Sequence, residues 1–172
     1  MKYVTVEEMI AIEKESNAAG HTYSEMMEHA GRGLAEVVHE EFADFDENTA
    51  LGLVGSGNNG GDTLVASCYL QEWGWQTTAY IVRPRPKDDP LLARAQAAGV
   101  EILNIETDVK FKQLNTALEQ HDVLLDGVLG TGIELPLRGA IAKTLEFVQK
   151  ALFEMDVPPL VVAVDCPSGV DC

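Results

Sequence analysis

Three short segments concentrate the residues whose types and spacing could do chemistry. The first, Gly55-Ser-Gly57-Asn-Asn-Gly60-Gly61-Asp62, contains G-x-G-x-x-G. Glycine lets a backbone turn sharply and approach a phosphate with no Cβ in the way, and a helix beginning near Asp62 would offer free N–H groups to an anion. The second reads Leu125-Asp126-Gly127-Val-Leu-Gly130-Thr131-Gly132-Ile-Glu-Leu-Pro136-Leu-Arg138-Gly139. Its Asp126 follows an apolar run, where a carboxylate is either a helix cap or a ligand to something. The third, Val164-Asp165-Cys166-Pro167-Ser168-Gly169-Val170-Asp171, again sets an acid after an apolar run. Pro167 and Gly169 constrain the backbone around Ser168, which favours a site over a plain turn.

Several chemistries fail against these residues. A Walker loop aligned on Gly61 would need glycine at Ser56 and lysine at Asp62, so the phosphate-binding lysine is missing. A dehydrogenase-type NAD fold expects an acid at the end of its second strand, whereas that strand ends Ile81-Val-Arg83-Pro-Arg85. Arg83 and Arg85 read as solvated surface arginines in preference to phosphate contacts. Ser168 lacks a G-x-S-x-G elbow, and His21, His29, His39 and His121 all lie outside the three loops, which argues against a serine hydrolase. Asn59, Asp126 and Ser168 offer hard oxygen donors, which suit potassium, sodium or magnesium better than a transition metal.

The elements that must position these loops are legible in the apolar pattern. From residue 50 onward, short apolar runs at Ala50–Val54, Thr77–Val82, Val100–Leu103, Val123–Leu125 and Leu160–Val164 read as buried strands. Helices are expected over 62–73, 90–98, 109–119 and 138–154, with Asp89 as cap and Pro90 in the first turn of the second. Strand and helix alternate, which predicts a parallel sheet covered on both faces by right-handed crossovers. Ligands bind such sheets beyond the carboxyl ends of the strands, and the three chemical loops follow the first, fourth and fifth.

Ahead of this α/β region, Thr5-Val-Glu-Glu8 and Thr22-Tyr-Ser-Glu25 each fit a capping box and start two N-terminal helices. The first carries Val6, Met9, Ile10 and Ile12, and the second Met26, Met27, Ala30, Leu34, Val37 and Val38. These stripes are expected to make core or dimer contacts, with Met26 and Met27 read as core filling in preference to lining a ligand pocket.

Composition narrows the class further. The 172 residues suffice for one domain, 1–172, with its own core. A formal net charge of −16 repels nucleic acid and anionic membrane surfaces, so an anionic ligand must be held by local amides. No apolar run reaches the roughly 18 to 20 residues of a membrane span, and the start lacks the apolar run of a signal peptide, so a cytoplasmic protein is expected. Cys68, Cys166 and Cys172 form neither an even disulfide set nor a metal pair and read as reduced thiols.

In all three loops the chain resembles the NAD(P)HX epimerase family, the YjeF N-terminal domain. The motifs that carry the resemblance are G-x-G-N-N-G-G-D at 55–62, D-x-x-x-G-T-G-x-x-x-P-x-R-G at 126–139 and V-D-x-P-S-G-x-D at 164–171, together with Glu25-Met-Met-Glu-His-Ala-Gly31 near the start. Thr63 departs from the glycine that usually follows the loop aspartate. The resemblance implies an α/β fold, a three-layer αβα sandwich with a Rossmann-like, mostly parallel sheet and two N-terminal helices. It implies truncation at the C-terminus, since relatives continue with further strands, and hence an open sheet edge.

The function implied is interconversion of the R and S forms of hydrated NADH and NADPH, so that a separate dehydratase acting on the S form can restore the cofactor. Asn58, Asn59, Gly60, Gly61 and Asp62 would bind this substrate, as would Gly130, Thr131, Gly132, Ile133, Glu134, Leu135 and Pro136. Asp165 would contact it near the reacting ring and serve as the catalytic carboxylate. Asn59, Asp126 and Ser168 would bind a potassium ion, and the protein would form a homodimer through its N-terminal helices. The alternative is a non-catalytic nucleotide-binding or protein-interaction module of the same type.

Overall fold

The computed structural model describes residues 4–42, 48–131 and 136–170. Two helices come first, α1 (Val6–Ala18) and α2 (Tyr23–Phe42). Both expected capping boxes form: the Glu8 N–H donates to Thr5 Oγ1 at 3.2 Å while Glu8 Oε2 accepts from the Thr5 N–H at 2.7 Å, and Thr22 with Glu25 repeats the arrangement at the same distances. The apolar stripes behave differently from one another. No residue of α1 is buried, and Met9, Ile10 and Ile12 stand exposed, so this helix contributes nothing to the core. In α2, Gly31, Ala35 and Val38 are buried while Val37 faces out.

The remainder alternates as expected: β1 (Thr49–Val54), α3 (Asn58–Glu72), β2 (Gln76–Ile81), α4 (Pro90–Ala98), β3 (Glu101–Asn104), a 3-10 turn (Val109–Phe111), α5 (Lys112–Gln120), β4 (Val123–Gly127), α6 (Gly139–Glu154) and β5 (Leu160–Ala163). The five strands pair in parallel, in the order β3-β2-β1-β4-β5. Alternate residues of β1 feed opposite faces. Leu51 and Leu53 join Leu114, Leu118, Val148 and Ala151 of α5 and α6, whereas Ala50 packs with Ala35 and Val38 of α2 and Ala66 and Leu70 of α3. Val54 completes the second face against Leu64, Cys68 and Ala95 of α3 and α4. The result is a three-layer αβα arrangement. Strand β5 forms one edge, with Leu160 and Val161 exposed.

Two boundaries differ from the sequence expectation for physical reasons. Helix α3 starts at Asn58, four residues before Asp62, so the glycine-rich segment is a three-residue turn followed by the first helical turn. Lys110 and Phe111 adopt left-handed backbone angles (φ 60° and 56°), which breaks the expected 109–119 helix into a 3-10 turn and α5. Helix α4 matches the expectation: Asp89 Oδ1 accepts from the N–H groups of Leu91 and Leu92. Among the described residues, no helix is long and apolar enough to cross a membrane.

Candidate functional site

The order 3-2-1-4-5 reverses direction between β1 and β4, which makes the loops after those two strands the natural place for a crevice. There the glycines serve close approach of backbone to backbone. The Gly55 N–H donates to the Gly127 carbonyl at 3.1 Å; a Cβ on Gly55 would strike the carbonyl of Val128, and one on Gly60 would strike the carbonyl of Gly55. Thr63, the departure from the family motif, is fully buried. Its hydroxyl donates to the Asn59 carbonyl at 2.7 Å and its side chain sits against Gly52 and Gly127, so it faces the sheet.

Asn59 ties the three loops together. Its Nδ2 donates to the Leu129 carbonyl at 3.1 Å and to the Val164 carbonyl at 2.6 Å. Gly130 lies so close that a Cβ there would come within 2.6 Å of Asn59 Oδ1. On the far side of the same junction Ser168 donates its N–H to Asp126 Oδ2 at 2.8 Å and its hydroxyl to Oδ1 at 2.6 Å, and the Ser168 oxygen accepts from the Leu129 N–H at 2.9 Å. Asn59, Asp126 and Ser168, which come from three different loops, therefore meet around Leu129.

Every donor at this junction that a metal ion would use is a hard oxygen: the Asp126 carboxylate, the Ser168 hydroxyl, the Asn59 amide oxygen and the Leu129 and Val164 carbonyls. Asn59 here turns its nitrogen toward those carbonyls, and a half-turn of the amide exchanges nitrogen for oxygen. The set fits a hard monovalent or divalent cation. Among the described residues, no cluster of three or more His, Cys, Asp or Glu is placed to hold a metal.

Beside this junction a cleft of about 360 Å³ opens between the first turn of α3 and the two N-terminal helices, lined by Asn58, Asp62, Glu13, Tyr23, Met26, Met27 and Ala30. Met26 and Met27 are half-buried and face this cleft, which corrects their reading as core filling. The signal was Gly31: a Cβ there would press within 2.8 Å of the Asp62 carbonyl and closer still to Val65, so only glycine lets α2 cross α3 near enough to bring the methionines over Asp62. The Asp62 carboxyl is pushed up to about 6, first by burial, then by the charges of Asp165 and Glu13. Asp165 is exposed and holds a left-handed backbone conformation (φ 69°), uncommon for a residue with a side chain.

The other expected substrate contacts are distributed around a second opening. Pro136 lines a groove of about 540 Å³ on the α6 side of the sheet, together with Asp126, Ser168, Leu137, Leu145 and Val148. Gly130 is half-buried and Thr131 exposed, while Gly132, Ile133, Glu134 and Leu135 lie outside the described residues. Asn58 and Asp62 thus open to one cleft and Pro136 to another groove, with Asn59 at the joint between them. Arg85, expected to be solvated, has a side chain only 8% exposed: it pairs with Asp89 at 2.6 Å and donates to the Gly55 carbonyl at 2.8 Å. Arg83 is exposed, as expected.

A profile of the family described as YjeF-related protein N-terminus matches residues 23–172, which contain all three loops. The chain belongs to this family. Within it, the chain is 30% identical over 162 residues to the NAD(P)H-hydrate epimerase of Cryptococcus neoformans, covering 94% of this chain and 62% of that protein. It is 33% identical over 150 residues to the NAD(P)H-hydrate epimerase of Rhodopirellula baltica, covering 85% and 56%. The chain thus spans about three-fifths of the length of these YjeF-related relatives. The crystal structure of the yeast protein ynu0 superposes with a TM-score of 0.85 over 99% of this chain and 72% of the yeast chain, at 23% identity, which establishes the shared fold.

Proposed function

We propose that residues 1–172 form a YjeF-type domain that epimerises hydrated NADH and NADPH, interconverting their R and S forms. The observation that carries the reading is the joining of the loops after β1, β4 and β5 through Asn59, next to a cleft holding the partly desolvated carboxyl of Asp62. Such a site offers amides, carboxylates and hard oxygens, which suits proton transfer and inversion at one carbon. The relatives named above support the same substrate class.

In this reading the first turn of α3, Asn58 to Asp62, and the segment Gly130 to Pro136 bind the dinucleotide from two sides. Asp165 is the catalytic carboxylate, set beside C6 of the hydrated nicotinamide ring. The C6 hydroxyl is protonated and leaves as water with the electron pair of the C–O bond, while the ring nitrogen lone pair forms an iminium. Water then adds to the opposite face, and a carboxylate takes its proton. Acid and base are regenerated, and the only net change is the configuration at C6. Positioned proton transfer of this kind contributes roughly 10² to 10⁴ in rate.

Asn59, Asp126 and Ser168 would hold a potassium ion, whose charge draws the β4 and β5 loops together. The exposed Met9, Ile10 and Ile12 of α1 support a homodimer formed through the N-terminal helices. In this reading the protein works in the cytoplasm beside a separate dehydratase that consumes the S form. The decisive experiment incubates the protein with purified R-form NADH hydrate, with and without potassium, and follows the S form through an S-specific dehydratase. Conversion no faster than the spontaneous rate defeats the epimerase reading and leaves the binding-module alternative.

A further inference from the structure

Two arginines follow β2, and the fold treats them differently. Arg83 is exposed, whereas the Arg85 side chain is almost covered. Its Nε donates to Asp89 Oδ2 at 2.6 Å, and its Nη1 donates to the Gly55 carbonyl at 2.8 Å and, more weakly, to the Gly57 carbonyl at 3.4 Å. Asp89 is fixed in turn, because its other oxygen accepts the N–H groups of Leu91 and Leu92 at the start of α4. A chain of polar contacts therefore runs from the capped end of α4 through Asp89 and Arg85 to the turn that precedes α3.

That turn has a particular need for such a partner. Where loop N–H groups face a ligand, the carbonyls must face the protein, and a carbonyl left there without a donor is costly. The Gly57 carbonyl already accepts the Gly61 N–H at 3.2 Å, so the shorter Arg85 contact, to the Gly55 carbonyl at 2.8 Å, is the one that matters most to the turn. A guanidinium presents several N–H groups in a rigid fork, so one side chain reaches Asp89 with one nitrogen and the turn with another. A lysine gathers its three donors on one flexible nitrogen and lacks that rigid two-point fork.

We infer that Arg85 is a positioning residue for the site: it holds the Gly55 and Gly57 carbonyls back so that the first-turn amides of α3 stay aimed at the nucleotide. The inference rests on the reading of the Gly55–Asp62 segment as the nucleotide-binding side of the epimerase site. Arg85 directs its Nε to Asp89 and its Nη1 to the Gly55 and Gly57 carbonyls, so its effect acts through the set of the loop and belongs to binding and not to the chemical step.

The test uses the full chain with Arg85→Ala, Arg85→Lys and Asp89→Asn, and with Arg32→Ala as a control that removes a surface arginine paired with Glu36. The first readout needs no ligand. Amide hydrogen exchange at residues 57–62 is expected to quicken about tenfold in Arg85→Ala, less in Arg85→Lys and Asp89→Asn, and not at all in Arg32→Ala. The second readout is kinetic, below the melting transition of each variant: KM for NADPH hydrate is expected to rise about tenfold in Arg85→Ala with kcat within about threefold of wild type. A purely structural role would lower the melting temperature while leaving exchange at 57–62 and KM at wild-type values in the folded protein, and that result overturns the inference. Should Arg85→Ala not fold, Arg85→Lys and Asp89→Asn carry the same comparison. A wild-type protein that does not epimerise removes the proposed function, and the exchange readout then decides the role of Arg85 alone.

Discussion

One carboxylate, Asp126, receives both the main-chain N–H and the hydroxyl of Ser168, at 2.8 Å and 2.6 Å, and so fixes the loop after β5 against the end of β4. The hydroxyl also accepts the Leu129 N–H, which has a partly buried setting. Ser168→Ala keeps the main-chain bond but orphans that N–H and leaves Asp126 Oδ1 with only the long contact from the Val128 N–H at 3.5 Å. We expect a loss of about 1 to 2 kcal/mol in chemical denaturation, together with loss of any potassium dependence of epimerisation. A variant that retains the wild-type potassium response removes Ser168 from the ion site.

Asp165 stands at φ 69°, a region that asparagine tolerates as well as aspartate. Asp165→Asn should therefore fold with a melting temperature close to wild type while epimerisation falls by roughly 10² to 10⁴. Steady-state turnover of R-form NADPH hydrate measures this. Wild-type turnover in the folded variant would place the catalytic carboxylate elsewhere, with Asp62, in the cleft under α2, the next candidate.

Asp62 carries a built-in stability cost at neutral pH. Its carboxyl is raised from 3.8 to about 6 by burial and by facing Asp165 from the β5 loop and Glu13 from α1. The folded state thus holds this proton more tightly than the unfolded chain. The associated stability is fully present below about pH 4 and is lost as pH rises through about 6. The loss is at most about 3 kcal/mol. Asp62→Asn cannot ionise, so it should melt roughly 2 to 8 °C above wild type near neutral pH and close to it near pH 4. The same variant should bind NADPH hydrate more weakly, the usual exchange of function for stability at such sites. Equal melting profiles for both proteins across this pH range would contradict the desolvation of Asp62.

The seating of α3 on the sheet gives a prediction that needs no substrate. A Cβ on Gly52 would approach Thr63 Cγ2 to 2.7 Å, whereas Ser67 Oγ lies at an ordinary 3.4 Å. Gly52→Ala alone should destabilise the fold by about 1 to 3 kcal/mol through overpacking. Thr63→Ser deletes that methyl and keeps the hydroxyl that donates to the Asn59 carbonyl, so the double variant should recover most of the loss. Additive destabilisation in the double-mutant cycle would show that α3 is seated by other contacts.

Much of this molecule follows from local sequence. Alternating apolar runs and helical spacings set the βαβ order, because a buried parallel strand and an amphipathic helix each carry their own period. Asp89-Pro90, Thr5 with Glu8 and Thr22 with Glu25 start helices through contacts that span three residues or fewer. The chemistry of the three loops was equally local: which residue types they hold, and which reactions those types exclude.

What only the tertiary structure decided are the contacts that cross between elements. Arg85 reads as a surface arginine until Asp89 and the Gly55 carbonyl close around it. Met26 and Met27 have the spacing of core residues until Gly31 lets α2 lie over the start of α3. Asp62 is an ordinary carboxylate until that crossing removes water from one side of it and the β5 loop brings Asp165 near. Burial and electrostatic coupling depend on which surfaces meet, a property of packing that no short stretch of chain contains.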